Sequence, residues 1–358
     1  MTQAAALAAY GSNSPSNRNR IINGDMRIDQ RNAGASYTQV NGVYSLDRWS
    51  GNSFDGGAAS NKYSVQQSTT APAGFSNSLL VTSLAATADS GNDIFNIEQK
   101  IEGFNSADLA FGTASAKTIT LSFWVRSSLT GTFGGAIKNS ARDRAYPFAY
   151  TISSANTFEY KTITIAGDTS GTWVGSTNGM GLWLSFGLGV SSSRSDTAGA
   201  WAGGDLFSST GAVRVIGTNG ATFYITGVQL EAGSAATPFE HRPYGQELAL
   251  CQRYFQTWGG VTANDFMPYF GIGYNSSTSE GALTFIQQMR SPPSLSVVGS
   301  FVFLDTAAVY NAGTLILDVV GLQTARIRTT TSSGLTLYRP YLLLANGDTS
   351  RLQLSAEL

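Results

Sequence analysis

Lys117-Thr118-Ile119-Thr120-Leu121-Ser122-Phe123-Trp124-Val125-Arg126 reads as a single half-buried β-strand. Ile119, Leu121, Phe123 and Val125 alternate with Thr118, Thr120, Ser122, Trp124 and Arg126. Successive strand side chains point to opposite faces, so the apolar set belongs to a core and the other set to an outer sheet surface. Tyr160-Lys161-Thr162-Ile163-Thr164-Ile165 repeats the alternation and runs into the turn residues Gly167-Asp168-Thr169-Ser170-Gly171. Gly181–Leu188, Val213–Ile216 and Phe223–Glu231 read as further strands, the last two separated by the hairpin signal Thr218-Asn219-Gly220-Ala221. Many short strands punctuated by Gly-rich turns mean an all-β sandwich or barrel.

The composition agrees. Gly accounts for 40 of 358 residues and charged residues for only 13%, which suits a turn-rich β protein better than a helical one. A length of 358 residues leaves room for two cores. The net charge of −1 supplies no field to recruit nucleic acid, and no basic stripe is visible. No stretch approaches the ~20 apolar residues of a membrane span, so no membrane insertion is expected. Met1–Leu7 lacks the basic start and apolar length of a signal peptide, which points to synthesis and assembly in a cytoplasm. A single cysteine, Cys251, excludes an intramolecular disulfide and reads as a small buried hydrophobe.

Residues 1–19 are Ala-rich and then Ser/Asn-rich, too poor in apolar side chains to fold alone. The folded chain is expected to begin at Arg20-Ile21-Ile22-Asn23-Gly24-Asp25-Met26, where an apolar pair enters a tight corner that Asn and Gly tolerate. One helix is expected over Gln246–Phe255, with Pro243 and Gly245 at its start. Leu248, Cys251 and Phe255 make a narrow apolar stripe on it, which suits either a seam between symmetry-related copies or a linker helix lying on its own domain. Beyond it, Ala282–Ile286, Ser294–Val298, Leu315–Val319, Leu335–Tyr338, Tyr341–Ala345 and Arg351–Ser355 read as strands of a second β domain. Its last two strands read as a hairpin across Asn346-Gly347-Asp348.

Several of these stretches also resemble one family. Asn23-Gly24-Asp25-Met26-Arg27-Ile28-Asp29-Gln30-Arg31 looks like the opening of bacteriophage tail-fibre and minor virion structural proteins that carry a carbohydrate-binding-module-like jelly roll. Leu46-Asp47-Arg48-Trp49, Ser122–Ser127, Gly227–Gly233 with Thr237–Glu240, Leu248–Tyr254, Met289–Pro293 and Ser355–Leu358 resemble the family's later markers, in order, over nearly the whole chain. The resemblance implies an N-terminal anchoring arm (1–20), a jelly roll (21–242), a short helical neck (243–256) and a C-terminal β-sandwich (257–358). It implies a virion structural protein, often a homotrimer, with Leu248, Cys251 and Phe255 as the neck seam. Residues 1–20 would hold other tail, baseplate or capsid proteins, and the outward domains would meet host surface polysaccharide. A capsid decoration or head fibre and a polysaccharide-degrading tailspike are the alternatives. The related sugar-binding jelly rolls often hold a structural calcium between first and last strands, for which Asp25 and Glu231 would be the oxygen donors. The adjacent acidic pair that usually precedes the last strand is absent here, and Thr226-Gly227 stands in its place.

No catalytic residue is assigned. The only histidine, His241, has no Gly-x-Ser-x-Gly elbow beside it and reads as a neck contact. One Cys and one His cannot build a four-ligand zinc site. A glycosidase would need a carboxylate pair, for which Asp143, Asp168, Asp196 and Asp205 stand in loop-like contexts, but the repeats of a β-helical spike are missing. Glycan binding would rest on aromatic faces beside polar groups. Trp124 lies on the polar side of its strand, and Trp173 and Trp201 follow small-residue turns, so these three are the glycan candidates, with core packing as the alternative for each.

Overall fold

In the computed structural model, residues 17–305, 308–331 and 334–358 are described. The structure is all-β, two sandwich-like units joined by one short helix. The anchoring arm falls outside the described residues as far as residue 16.

The first unit pairs two sheets. The six-stranded sheet has the order Tyr37–Thr38, Tyr63–Ser68, Ser78–Ser83, Thr222–Ala232, Ile119–Ser127, Glu159–Ile165. The other runs Ala202–Gly203, Arg144–Ile152, Gly131–Lys138, Met180–Val190, Ile94–Glu102, Trp49–Asp55, Val43–Leu46, with Ala58–Ala59 added against Trp49–Asp55. Almost every pairing is antiparallel, so each sheet can bury one face and leave the other to solvent or loops. Ile119, Leu121, Phe123 and Val125 are all fully buried, as the alternation requires, and pack with Phe133, Phe148, Phe186 and Phe223 between the sheets. Val213–Ile216 is not a strand. Its end forms a short 3-10 turn, Val215–Gly217, that caps the core with Val215 and Ile216.

The chain from Asn19 to Ile28 runs as a strap across the mouth of this sandwich. The Arg20 amide donates to Leu230 O (2.9 Å) on one sheet. Ile22 exchanges two hydrogen bonds of 2.8 Å with the Gln99 side chain on the other. Asn23 takes the left-handed conformation expected of the corner (φ 56°), and its side chain then bonds both Ile28 backbone groups and Asp47 O. Gly24 permits the close approach: a Cβ there would lie 2.2 Å from Val228 O. The fold thus reaches back to Asn19, whose side chain is buried against Val228 and Leu230.

The helix spans Tyr244–Gln252, shorter than expected, and Phe255 already opens the strand Phe255–Gly259. This corrects the neck seam. Cys251 is fully buried, with half-buried Leu248, against Ile22, Ile28, Tyr254 and Leu358 of the same chain, and Phe255 is 4% exposed. The stripe is consumed by its own domain junction because its partners lie at both far ends of the sequence.

The second unit has a three-stranded sheet, Phe255–Gly259, Arg351–Ser355, Ser294–Val298. Its larger sheet runs Val309–Ala312, Phe301–Leu304, Pro340–Ala345, Phe266–Gly273, Thr278–Thr284, Thr324–Thr330, Leu315–Val320. Pro340–Ala345 and Arg351–Ser355 therefore lie in different sheets and are not a hairpin, although the turn between them is real. Leu335–Tyr338 is loop and turn rather than strand.

The C-terminal residues fold back onto the first unit. Glu357 bridges Arg31 (2.6 Å) and Arg48, and Arg48 is 1% exposed. The Arg48 guanidinium lies 3.6 Å from the Tyr254 ring centroid and Arg31 lies 3.8 Å from that of Phe255. Nearby, Asp47 accepts from Gln30 N (2.7 Å) and Nε2 (2.6 Å). Burial pushes the Asp47 carboxyl up to about 6, against the opposing pull of Arg31 and Gln30. In an unfolded chain it titrates near ~3.9. Between those two values the native state keeps a proton that the unfolded chain has lost, so this group's contribution falls as pH rises through that window. Stability to urea is therefore expected to be about 1 kcal/mol greater at pH 5 than at pH 7 through Asp47, and Asp47→Asn should flatten that difference.

Candidate functional site

The outward set of Ile119–Ser127 lies beside the outward set of Glu159–Ile165. Antiparallel register places Trp124 opposite Tyr160, Ser122 opposite Thr162 and Thr120 opposite Thr164. These six side chains floor an open groove of about 790 Å³. The Trp124 and Tyr160 rings sit 5.4 Å apart at 47°, and Tyr160 is 44% exposed. The exposed Thr162 and Thr164 hydroxyls thus lie next to two aromatic faces, with Thr120 and Ser122 buried beneath.

The groove's far wall is the segment from Ser234 to His241, and its end is closed by Ala73–Phe75. The wall is tied to the closing strand Thr222–Ala232. Glu231 accepts from Thr237 N and Thr237 Oγ1, both at 2.8 Å, and Gln229 Oε1 accepts from Glu240 N at 2.8 Å. Thr120 Oγ1 donates to Gly233 O (2.8 Å) and Thr164 Oγ1 to Ser234 O (3.2 Å). At the closed end, Phe75, Phe239 and His241 form an aromatic triangle with centroids 4.9 to 5.2 Å apart.

Thr226-Gly227 acquires a role here. The pairing of Thr222–Ala232 with Ile119–Ser127 slips between Thr226 and Gln229, a bulge of the kind that re-aims neighbouring side chains. Gly227 takes φ +61°, and a Cβ there would lie 2.7 Å from Phe75 Cζ and 3.1 Å from Trp124 Cδ1. The glycine lets the strand curl while Phe75 and Trp124 close over it.

The other expected site residues are placed elsewhere. Trp173 and Trp201 meet each other at 5.5 Å, edge to face, and both meet Phe111. Their indole N–H groups donate to Ser170 O (3.0 Å) and Ala166 O (2.7 Å). They cap one end of the sandwich, where Trp173 also borders a second hollow of about 360 Å³ beside Phe111 and Val174. Asp25 is ion-paired to Arg27, while Glu231 serves the groove wall, so the two carboxylates expected to share calcium have separate partners. Among the described residues no group of three His, Cys, Asp or Glu side chains converges.

The loop acids are likewise engaged. Asp168 holds Arg144 through two bonds of 2.7 and 2.8 Å, and Asp205 pairs with Lys138 at 2.7 Å. Asp143 accepts from Asn139 Nδ2 at 2.6 Å, and Asp196 accepts from the Thr197 amide at 2.7 Å. Sequence reasoning located Trp124 but missed Tyr160, Phe75, Phe239 and the Ser234–His241 wall. Tyr160 was findable, since it has the outward phase of its own strand; the wall carries no local signal of where it docks.

No protein-family model matches the chain, and no curated protein matches it. Among solved structures, the chain is similar to the enzymatically active domain of tailspike protein 4 from bacteriophage CBA120. The identity is 15%, over 62% of this chain and 22% of that one, with a TM-score of 0.33. It is similar to a putative sugar binding protein from Bacteroides thetaiotaomicron at 11% identity, over 60% of this chain and all (100%) of that one, with a TM-score of 0.35. It is similar to a family 11 carbohydrate-binding module from Clostridium thermocellum in complex with a β-1,3-1,4-mixed-linked tetrasaccharide. There the identity is 14%, over 55% and 97% of the two chains, with a TM-score of 0.28.

Proposed function

We propose that this protein binds carbohydrate in the Trp124–Tyr160 groove, without cleaving it, as a structural protein of a bacteriophage particle. The observation that carries the binding is the pairing of two adjacent, part-exposed aromatic rings with the exposed Thr162 and Thr164 hydroxyls on one open sheet face. A ring covers the apolar face of a pyranose, while hydroxyls and the His241 imidazole serve its hydroxyl groups. The groove's volume of about 790 Å³ leaves room for more than one sugar unit above its floor, with the Ala73–Phe75 end closed. The virion setting rests on the ordered motifs from Asn23-Gly24-Asp25 to Ser355–Leu358 and on the N-terminal arm that precedes the Asn19–Ile28 strap, which would attach a tail, baseplate or capsid fibre.

Calorimetric titration against a panel of bacterial surface polysaccharides and β-glucans tests the binding. At least one should bind the intact protein, and Trp124→Ala should weaken it at least ~30-fold, about 2 kcal/mol, as expected of a central aromatic anchor. Trp173→Ala should bind unchanged. Unaltered affinity in Trp124→Ala would remove the groove from the proposal, and new reducing ends after incubation would replace binding by cleavage.

A further inference from the structure

The larger sheet of the C-terminal unit buries one face, with Tyr269, Leu283, Phe303, Ile327 and Leu343 in its core. Its other face is unusually apolar for a surface in water. Register sets one row across it: Val309, Leu304, Leu342, Phe270, Ala282, then Arg326 and Asp318. Along the central strand Phe266, Phe270 and Ile272 all point outward, exposed by 62%, 67% and 43%, and Tyr274 follows at 60%.

An aromatic side chain carries ~150–250 Å² of surface, so Phe266, Phe270 and Tyr274 alone leave roughly 300–400 Å² in water. The exposed aliphatic side chains of Ile272, Leu342, Val309 and Val319 extend it towards the size that marks an interaction surface. A face of seven strands, each about five residues long, spans roughly 30 by 17 Å, or about 500 Å² in plan. With side-chain relief its accessible area is of the order of the ~800 Å² that each partner buries in a stable protein–protein contact.

The charged end of the row tells against a charged partner. Arg326 bonds Asp318 at 2.5 and 2.8 Å, and Arg328 bonds Glu280 at 2.7 Å. Cross-links from Arg326 to Glu280 (3.3 Å) and Arg328 to Asp318 (3.4 Å) close a four-membered network of zero net charge. Beside it lies a depression of about 570 Å³ bordered by Ile272, Tyr274 and Val319. Val319 sits at a bulge with φ +50°, a conformation that β-branched residues avoid, and is 76% exposed.

We propose that this face is the self-association surface of the protein, covered by the same face of a second copy. A second copy offers what the surface lacks: an apolar half to cover Phe270, Ile272 and Leu342, and a neutral ion network that needs no opposite charge. This places assembly in the C-terminal unit, away from the helix, whose stripe is occupied within the chain. The inference is independent of the glycan groove on the other unit.

Sedimentation velocity of the intact chain from about 1 to 100 μM decides it. The wild type should sediment as a homo-oligomer, and Phe270→Asp as a 37.8 kDa monomer that still melts cooperatively. Val261→Asp, on a loop outside this face, should remain oligomeric. A wild type that is monomeric at every concentration would overturn the proposal. So would a folded Phe270→Asp that stays oligomeric, whether the face then proves to hold a glycan or another protein.

Discussion

Glu357→Ala is expected to lower stability by about 3–5 kcal/mol and to uncouple the melting of the two units. The carboxylate neutralises Arg31 and Arg48, and Arg48 has nowhere else to go: its side chain is 1% exposed and lies flat on Tyr254. Without Glu357 its remaining hydrogen bond is to Lys100 O at 2.6 Å, a neutral acceptor for a buried cation. The neighbouring Leu358 carbonyl, which accepts from Tyr44 Oη and Lys100 Nζ at 2.9 Å each, would be pulled away with it. A second clasp, Glu102 with Arg253 and Tyr254, would remain and limit the damage. Calorimetry should show the wild type melting in one transition and Glu357→Ala losing about 10 °C, with the C-terminal unit melting first. Glu357→Gln, which keeps an acceptor but not the charge, should fall between them. A single transition shifted by less than about 1 kcal/mol would show that the latch is unimportant.

Arg242→Ala should be as damaging, and at the other end of the chain. The guanidinium gathers the Asn19 and Ile21 carbonyls, Glu240 at 3.4 Å and Glu247 at 3.2 Å while itself 5% exposed. Glu247, on the helix, also accepts from the Asn23 amide, so strap, helix and jelly roll meet in one buried network. Removing the cation leaves a buried carboxylate with one amide donor and two carbonyls without partners, again about 3–5 kcal/mol. The strap should then detach: limited trypsin digestion should cut at Arg20 and Arg27 far faster than in the wild type. Arg242→Lys should restore only part of the loss, because an ammonium cannot reach in several fixed directions at once. Unchanged proteolysis in Arg242→Ala would refute this reading of the strap.

Much of the fold was legible where periodicity alone decides it. Ile119 to Val125 went to the core and Trp124 to the groove because a two-residue period leaves no other choice. Asn23 took the left-handed corner that its dipeptide with Gly24 signals. What local pattern could not carry was partnership over long distances. The stripe of Leu248 and Cys251 is as good a seam between copies as a seat for Ile22, Ile28 and Leu358, and only the folded chain brings those residues to it. Tyr341–Ala345 and Arg351–Ser355 flank a sound turn signal yet join different sheets. Val213–Ile216 has strand composition, but the core needed a cap there. The groove was half legible for the same reason: its floor follows from two alternating strands, whereas its wall depends on Glu231 and Gln229 holding a loop that is irregular in sequence. Glu231 was singled out only through the resemblance to calcium-holding jelly rolls, and its bonds to Thr237 could not be read from the sequence because that segment is irregular.

The groove itself is best examined by watching the indole N–H signals of the six tryptophans by NMR while the tightest-binding polysaccharide fragment is added. The Trp124 signal, assigned by its loss in Trp124→Phe, should shift and saturate, while the Trp173 and Trp201 signals stay in place. Shifts at Trp173 or Trp201 with Trp124 unmoved, or no shift with any glycan, would contradict a binding site on the Trp124–Tyr160 face.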